Sequence, residues 1–201
     1  MNKSRLAAMI LAITALTGAL ATAATPGANP AATGAAALPG DSVYQLNAKL
    51  TDQEGRDFTL TQKRGQPVLV GMFYTSCEFV CPMLVEALRN TEAKLNAQER
   101  AKLSVLLITI DPARDTVAVL KHTAQQRELD PAHWTLARSD AATTRKLAAV
   151  LGLQYRALAN GDFNHSTDLI LLDADGRVAA RTAQLTGVDA KFLKQVKAAA
   201  Q

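Results

Sequence analysis

Two apolar runs, the uninterrupted PVLVGMFY (67–74) and LSVLLITI (103–110), broken only by Ser104 and Thr109, constrain this chain more than anything else in it. A strand with apolar residues at every position has no wet face, so each run must lie in a sheet covered on both sides. Between them, residues 82–95 place Leu84, Leu88 and Leu95 on one helical face, which predicts a helix from Pro82 to Leu95. The pattern continues downstream. Asp111-Pro112 offers a carboxylate cap followed by proline at a first helical position, predicting a helix over 112–129. WTLA (134–137) predicts a short strand, and AATTRKLAAVLG (141–152) a helix closed by Gly152. TDLILLD (167–173), the turn DADG and RVAART (177–182) predict a strand pair, followed by a last helix from about Val188. Upstream, residues 43–60 alternate loosely around a turn at Asp52–Gly55, as an N-terminal β-hairpin would. Strands alternating with helices and closing on a hairpin imply an α/β fold, a central mixed sheet flanked by helices.

The first forty residues contribute nothing to that core. Lys3 and Arg5 form a short positive region, an apolar run begins at Leu6, and Ala21-Thr22-Ala23 is a small-residue cleavage pattern. Residues 1–24 therefore read as an export signal or, left uncut, as a membrane anchor, because Leu6 to Ala24 approaches the ~20 residues that span a bilayer. No cysteine precedes Cys77, so the leader offers no site for a lipid anchor. Residues 25–40, TPGANPAATGAAALPG, are uncharged and small and read as a flexible linker. One domain, 41–201, remains. Removing Lys3 and Arg5 takes the formal charge from +4 to +2, and no basic block is left to attract nucleic acid. Export points to the periplasm, with membrane proximity.

Only two cysteines occur, Cys77 and Cys81, in FYTSCEFVCPM. Exported thiols face an oxidising compartment, so a close pair there is either a disulfide or metal-bound. A bridge spanning so short a loop constrains little chain entropy, which argues for chemistry over stability. Pro82 suits a first helical position and disfavours helix at Cys81, so the helix begins there and both sulfurs lie near its positive end, where thiolate is favoured. A strand, then cysteines, then a helix is the thioredoxin-like arrangement. Thioredoxin-type oxidoreductases space their cysteines by two residues; here Glu78-Phe79-Val80 makes three. Structural zinc and iron–sulfur sites need four ligands, whereas two thiolates with one imidazole suit Cu(I). Disulfide exchange and soft-metal binding both remain open.

Of the three histidines, His122 falls among polar residues on a helix face and His133 in a turn before Trp134. His165 lies in the polar loop NGDFNHS leading into TDLILLD, on the segment that faces the cysteine loop in a thioredoxin-like domain. It is the candidate third donor. Met72 in a strand run and Met83 after the helix start read as packing residues rather than thioether ligands. A peroxide reductase shares the strand–cysteine–helix layout, but its proline and threonine positions hold Val70 and Tyr74 before Cys77, and Tyr74 and Glu78 before Cys81.

TSCEFVCP, ITIDPARDT and FNHSTDLILLDADGRV, in this order and spacing, resemble the Sco/SenC family of copper-binding thioredoxin-like proteins over residues 44–200. The resemblance implies copper, Cu(I) or Cu(II), held by Cys77, Cys81 and His165. It also implies a role in assembling the dinuclear copper centre of cytochrome c oxidase, with the copper-receiving subunit as partner, and other periplasmic copper carriers or thiol reductases besides. The alternative role is thiol–disulfide reduction, with Cys77 and Cys81 as the redox pair. Asp111 and Asp115 match the family's acidic motif, Asp111 also serving as a helix cap. Two positions depart from the pattern. Glu78 replaces a frequent proline and adds negative charge beside the thiols, which should raise their pKa; Val117 replaces the proline that often follows Asp115-Thr116.

Overall fold

The computed structural model describes residues 37–201; the leader and the linker up to residue 36 lie outside them. Seven strands form one mixed sheet. β1 (Lys49–Asp52) and β2 (Asp57–Thr59) are the expected N-terminal hairpin. β3 (Val68–Phe73) and β4 (Ser104–Thr109) are the two apolar runs, parallel and paired from Val68↔Ser104 to Phe73↔Thr109. β5 (Trp134–Arg138) runs parallel to β4 and carries the N-terminal hairpin antiparallel on its outer side. On the other side, β8 (Leu169–Leu172) and β9 (Val178–Thr182) continue the sheet antiparallel from β3. The remaining strands, β6 (Tyr155–Ala157) and β7 (Phe163–His165), form a separate two-stranded hairpin.

Every residue of β3 and β8 is buried, as uninterrupted apolar runs require, and β1 alternates. Five helices flank the sheet: α1 (Val80–Glu92), α2 (Ala97–Ala101), α3 (Val117–Gln126), α4 (Ala141–Val150) and α5 (Ala190–Ala199). α1 packs on β3 at Gly71, where a Cβ would stand 3.2 Å from Leu107 and 3.3 Å from Leu84, so glycine lets helix and strand approach. The β8–β9 turn is held by Asp173, whose Oδ1 accepts from the N–H groups of Asp175 and Arg177 at 2.9 Å. Gly176 in that turn has φ +80°, and the Tyr44 ring lies 2.6 Å from where a Cβ would be, so no other residue fits.

Two helices start elsewhere than the sequence suggests. α1 begins at Val80 and ends at Glu92, short of Leu95. α3 begins at Val117, not Pro112, and Asp111 is not its cap. The Thr116 hydroxyl accepts from Val119 N–H instead, while the Asp111 carboxylate is held by Arg114 in a turn. A favourable cap sequence lost to an ion pair that the local sequence also permits. Val117 is thus the first helical residue, where proline is equally at home. α2 was not anticipated, although Asn96 and Glu99 form a reciprocal capping box around it.

Candidate metal centre

Cys77 closes the turn after β3, its N–H donating to the Tyr74 carbonyl at 3.3 Å. Cys81 lies in the first turn of α1, and its backbone N–H donates to Cys77 Sγ at 3.3 Å. No side chain caps α1, so the Cys77 sulfur stands where a capping oxygen usually would. His165 ends β7. The structure brings the three together: one donor atom from each of Cys77, Cys81 and His165 lies within 4.8 Å of the others. A trigonal site with metal–sulfur bonds of about 2.3 Å separates its donors by about 4 Å, so sub-ångström adjustment closes it.

The two sulfurs are free thiols in different states. Burial pushes Cys77 upward, but the backbone N–H and the thiol of Cys81, with the N–H groups of Phe79 and Val80, outweigh it and leave Cys77 below the ordinary thiol range. Cys81 goes the other way. Burial raises it well above that range, and the neighbouring Cys77 sulfur adds to the rise against the Tyr74 backbone. The helix end therefore favours one thiolate, not both, because only Cys77 faces the free N–H groups while Cys81 is 3 % exposed within the helix.

His165 Nδ1 lies 2.9 Å from the Ser166 carbonyl. A carbonyl only accepts, so Nδ1 carries the proton and Nε2 keeps the lone pair available to a metal. Burial lowers the His165 pKa despite that bond, which keeps the imidazole neutral at neutral pH. Two sulfurs and one neutral imidazole fit a soft ion content with three ligands. His165 sits at the end of a short strand rather than in the loop the sequence suggests. The other histidines are elsewhere: His122 is exposed on α3, and His133 sits in a turn formed around Asp130. Met72 is buried, but Met83 is 41 % exposed, so packing does not account for it.

The acidic motif braces both halves of the site. Asp115, 1 % exposed, accepts from Thr75 N–H at 3.1 Å and from the hydroxyls of Thr75 and Thr109, pinning the cysteine loop to the end of β4. Asp111 orients Arg114, whose guanidinium donates to the Gly161 carbonyl at 2.6 Å in the β6–β7 turn and lies 5.8 Å from the Phe163 ring centre. Phe163 in turn meets Tyr74 edge-on at 5.2 Å, and Tyr74 meets His165 at 5.7 Å. Sequence reasoning singled out both aspartates but missed Thr75, Tyr74, Arg114 and Phe163. Their roles depend on contacts across the fold, and lying within the three family-like stretches was the one signal that Thr75, Arg114 and Phe163 carried.

The SCO1/SenC family model matches residues 40–201. The chain belongs to the SCO1/SenC family. Over 132 residues it is 29 % identical to a Stutzerimonas stutzeri protein named as a candidate copper binder, covering 64 % of this chain and 63 % of that one. The chain spans less than two thirds of the curated relatives it matches first, 63 % and 42 % of their lengths. Bradyrhizobium japonicum ScoI, solved with copper bound, is 27 % identical and superimposes with a TM-score of 0.61 over 76 % of this chain and 96 % of that one. A SCO1/SenC family lipoprotein from Bacillus anthracis shares the fold, with a TM-score of 0.68 at 21 % identity over 78 % of this chain and 97 % of that one. The thioredoxin-like α/β architecture is the family's. Among the described residues, no helix is long and apolar enough to cross a membrane.

Proposed function

We propose that this SCO1/SenC protein is an exported copper chaperone that carries copper as cargo on Cys77, Cys81 and His165. The proposal extends to its target, the dinuclear copper centre of cytochrome c oxidase, and to its place, the periplasm, reached through residues 1–24 and joined to the 41–201 domain by the 25–40 linker. The observation that carries the reading is the convergence of two sulfurs and a neutral imidazole within 4.8 Å. Copper bound to a ScoI relative and the export-type leader support it. Cu(I) is the ion this donor set prefers. Ligand-by-ligand exchange with a receiving site would pass it on, and a Cys77–Cys81 disulfide would abolish both sulfur donors.

The test is a Cu(I) titration of the reduced protein against a competing chromophoric chelator, beside Cys77→Ser and His165→Ala. We expect one ion per chain, with affinity lower by at least tenfold in each variant. Equal stoichiometry and affinity in all three proteins would refute the site.

The opposite shifts of the two thiols favour a second reading, a thiol–disulfide reductase. The Cys77 thiolate attacks one sulfur of a target disulfide and forms a mixed disulfide, the other target sulfur leaving as thiolate. Cys81, once deprotonated, attacks Cys77 Sγ and releases the target's second thiolate. The target gains two electrons, and the pair ends as a Cys77–Cys81 disulfide that an external dithiol must reduce. His165→Ala separates the two readings, since it should abolish copper delivery and leave reduction largely intact.

A further inference from the structure

A cavity of about 910 Å³ opens between α4, the end of β5 and β6. Its floor is apolar, with Ile110, Ala148, Leu153 and Phe163. Three arginines reach it: Arg138 at the end of β5, Arg145 on α4 and Arg156 on β6. The carboxylates that also line it are engaged elsewhere. Asp111 holds Arg114, and Asp140 accepts from the N–H groups of Ala142 and Thr143 and from the Thr143 hydroxyl. Other surface guanidiniums, those of Arg56, Arg177 and Arg181, each hold a carboxylate. Arg145 and Arg156 form no ion pair among the described residues. Arg138 gives one N–H to the Pro112 carbonyl at 2.6 Å, while its Nε is buried with no partner. A buried donor without an acceptor is costly, and an incoming acceptor would relieve that cost.

The shape of the site says what kind of anion fits. Gln154, Tyr155, Arg156 and Ala157 line the cavity as one continuous stretch. β6 pairs only with β7, and the hairpin hydrogen bonds fall at Gln154–Ser166 and Leu158–Asp162. Antiparallel alternation then directs the N–H and C=O groups of Tyr155 and Ala157 away from β7. An open strand edge beside an apolar floor accommodates an extended chain, which gains main-chain hydrogen bonds at the edge and places alternate side chains below. A small free anion would meet a guanidinium and leave both the floor and the edge uncovered.

We propose that this groove binds an extended acidic segment of a partner protein, added as a strand on β6, with its carboxylates on Arg138, Arg145 and Arg156 and its apolar side chains on the cavity floor. The segment would run along the hairpin that carries His165. The proposal does not require copper and is tested on the reduced, metal-free full chain.

The probe is a dye-labelled octapeptide alternating glutamate with valine, followed by fluorescence anisotropy at low salt, with a glutamine–valine octapeptide as control. Arg145→Gln and Arg156→Gln should each weaken binding about fivefold and together more than tenfold, and the glutamine peptide should bind at least tenfold more weakly than the acidic one. Raising salt should weaken the acidic peptide alone. Both arginines are exposed, so an unchanged thermal midpoint shows that the variants fold. Amide resonances of Tyr155 and Ala157 should shift on binding. The proposal fails if the acidic peptide does not bind, if both substitutions leave its affinity unchanged, or if the shifts fall elsewhere. It fails equally if free citrate binds as tightly with the same dependence on both arginines, which would make the groove a small-anion site.

Discussion

The two halves of the candidate centre are built on different principles. The cysteine half grows out of the sheet core: β3 is buried along its whole length, Cys77 and Cys81 are 9 % and 3 % exposed, and Asp115 ties the intervening loop to β4 from within. The histidine half is a hairpin of two three-residue strands, half of their side chains exposed and the rest only partly buried, outside the main sheet. It is tethered by the Tyr74 ring, which meets both Phe163 and His165, and by Arg114, which donates to the Gly161 carbonyl. A carrier needs thiols that hold their place and one ligand that can leave. Under the proposed carrier role, this difference makes His165 the ligand expected to move, with the sulfurs as the fixed frame.

The largest effect should come from striking the rigid half. Asp115→Ala leaves the N–H and hydroxyl of Thr75 and the hydroxyl of Thr109 without their acceptor in a buried setting. It should cost about 3 kcal/mol in urea denaturation of the reduced protein. Asp115→Asn keeps the shape and some acceptor capacity and should cost less. A loss below about 1 kcal/mol for the alanine variant would mean the cysteine loop is not held from within, and the contrast between the halves would weaken.

Next come the thiols themselves. Each unit separating two pKa values is about a tenfold difference in thiolate fraction at a pH below both. With Cys77 lowered and Cys81 raised, iodoacetamide near pH 7.5 should label Cys77 more than tenfold faster, as read by peptide mass spectrometry. Binding Cu(I) must expel the proton held by Cys81, so affinity should rise with pH by at least about tenfold per unit near neutrality. His165 adds an opposite limit on the acid side. Its pKa is lowered on folding, so its contribution to stability is full above the ordinary value of 6.5 and is lost as pH falls through the depressed one. The wild type should therefore lose more stability than His165→Gln between pH 7.5 and pH 5.

The flexible half should respond in affinity rather than stability. Phe163→Ala and Arg114→Gln each remove a tether of the hairpin while leaving the sheet intact. Cu(I) affinity should fall about tenfold in each, with unfolding free energy changed by less than about 1 kcal/mol. Amide exchange across 155–165 should speed up while that of β3 and β4 stays the same. Uniform loosening of both regions would erase the distinction.

The same division explains what could be read from the sequence. The apolar runs, the Asp52–Gly55 and Asp173–Gly176 turns and the cysteine pair announce themselves through local chemistry, and the sheet followed from them. β6 and β7 do not, because YRA and FNH are too short for a period to be read from them; pairing with each other makes them strands. α2 was legible in Asn96 and Glu99, and only its short length hid it. Asp115 followed by Thr116 gave no sign of which would cap and which would be buried. That was decided by Thr75, 40 residues away. His165 could be picked as a candidate from its place before β8, but not as the last residue of a strand, nor with Nδ1 committed to Ser166.

The smallest effect concerns Glu78, the residue that departs from the family pattern beside the thiols. Sequence reasoning expects its charge to raise the thiol pKa. In the folded chain the largest influences on the Cys77 thiol are burial, the N–H group and thiol of Cys81, and the N–H groups of Phe79 and Val80. Its side chain is exposed, so water and salt screen its charge before it reaches the sulfur. Glu78→Gln should therefore shift the Cys77 pKa by less than about 0.3, seen in the pH dependence of thiolate absorbance, and change Cu(I) affinity less than twofold. Restoring the family residue, Glu78→Pro, probes the backbone instead. The loop is already pinned through Thr75, so proline should add little, and a gain of tenfold or more in affinity would show that the cysteine half is looser than its burial implies.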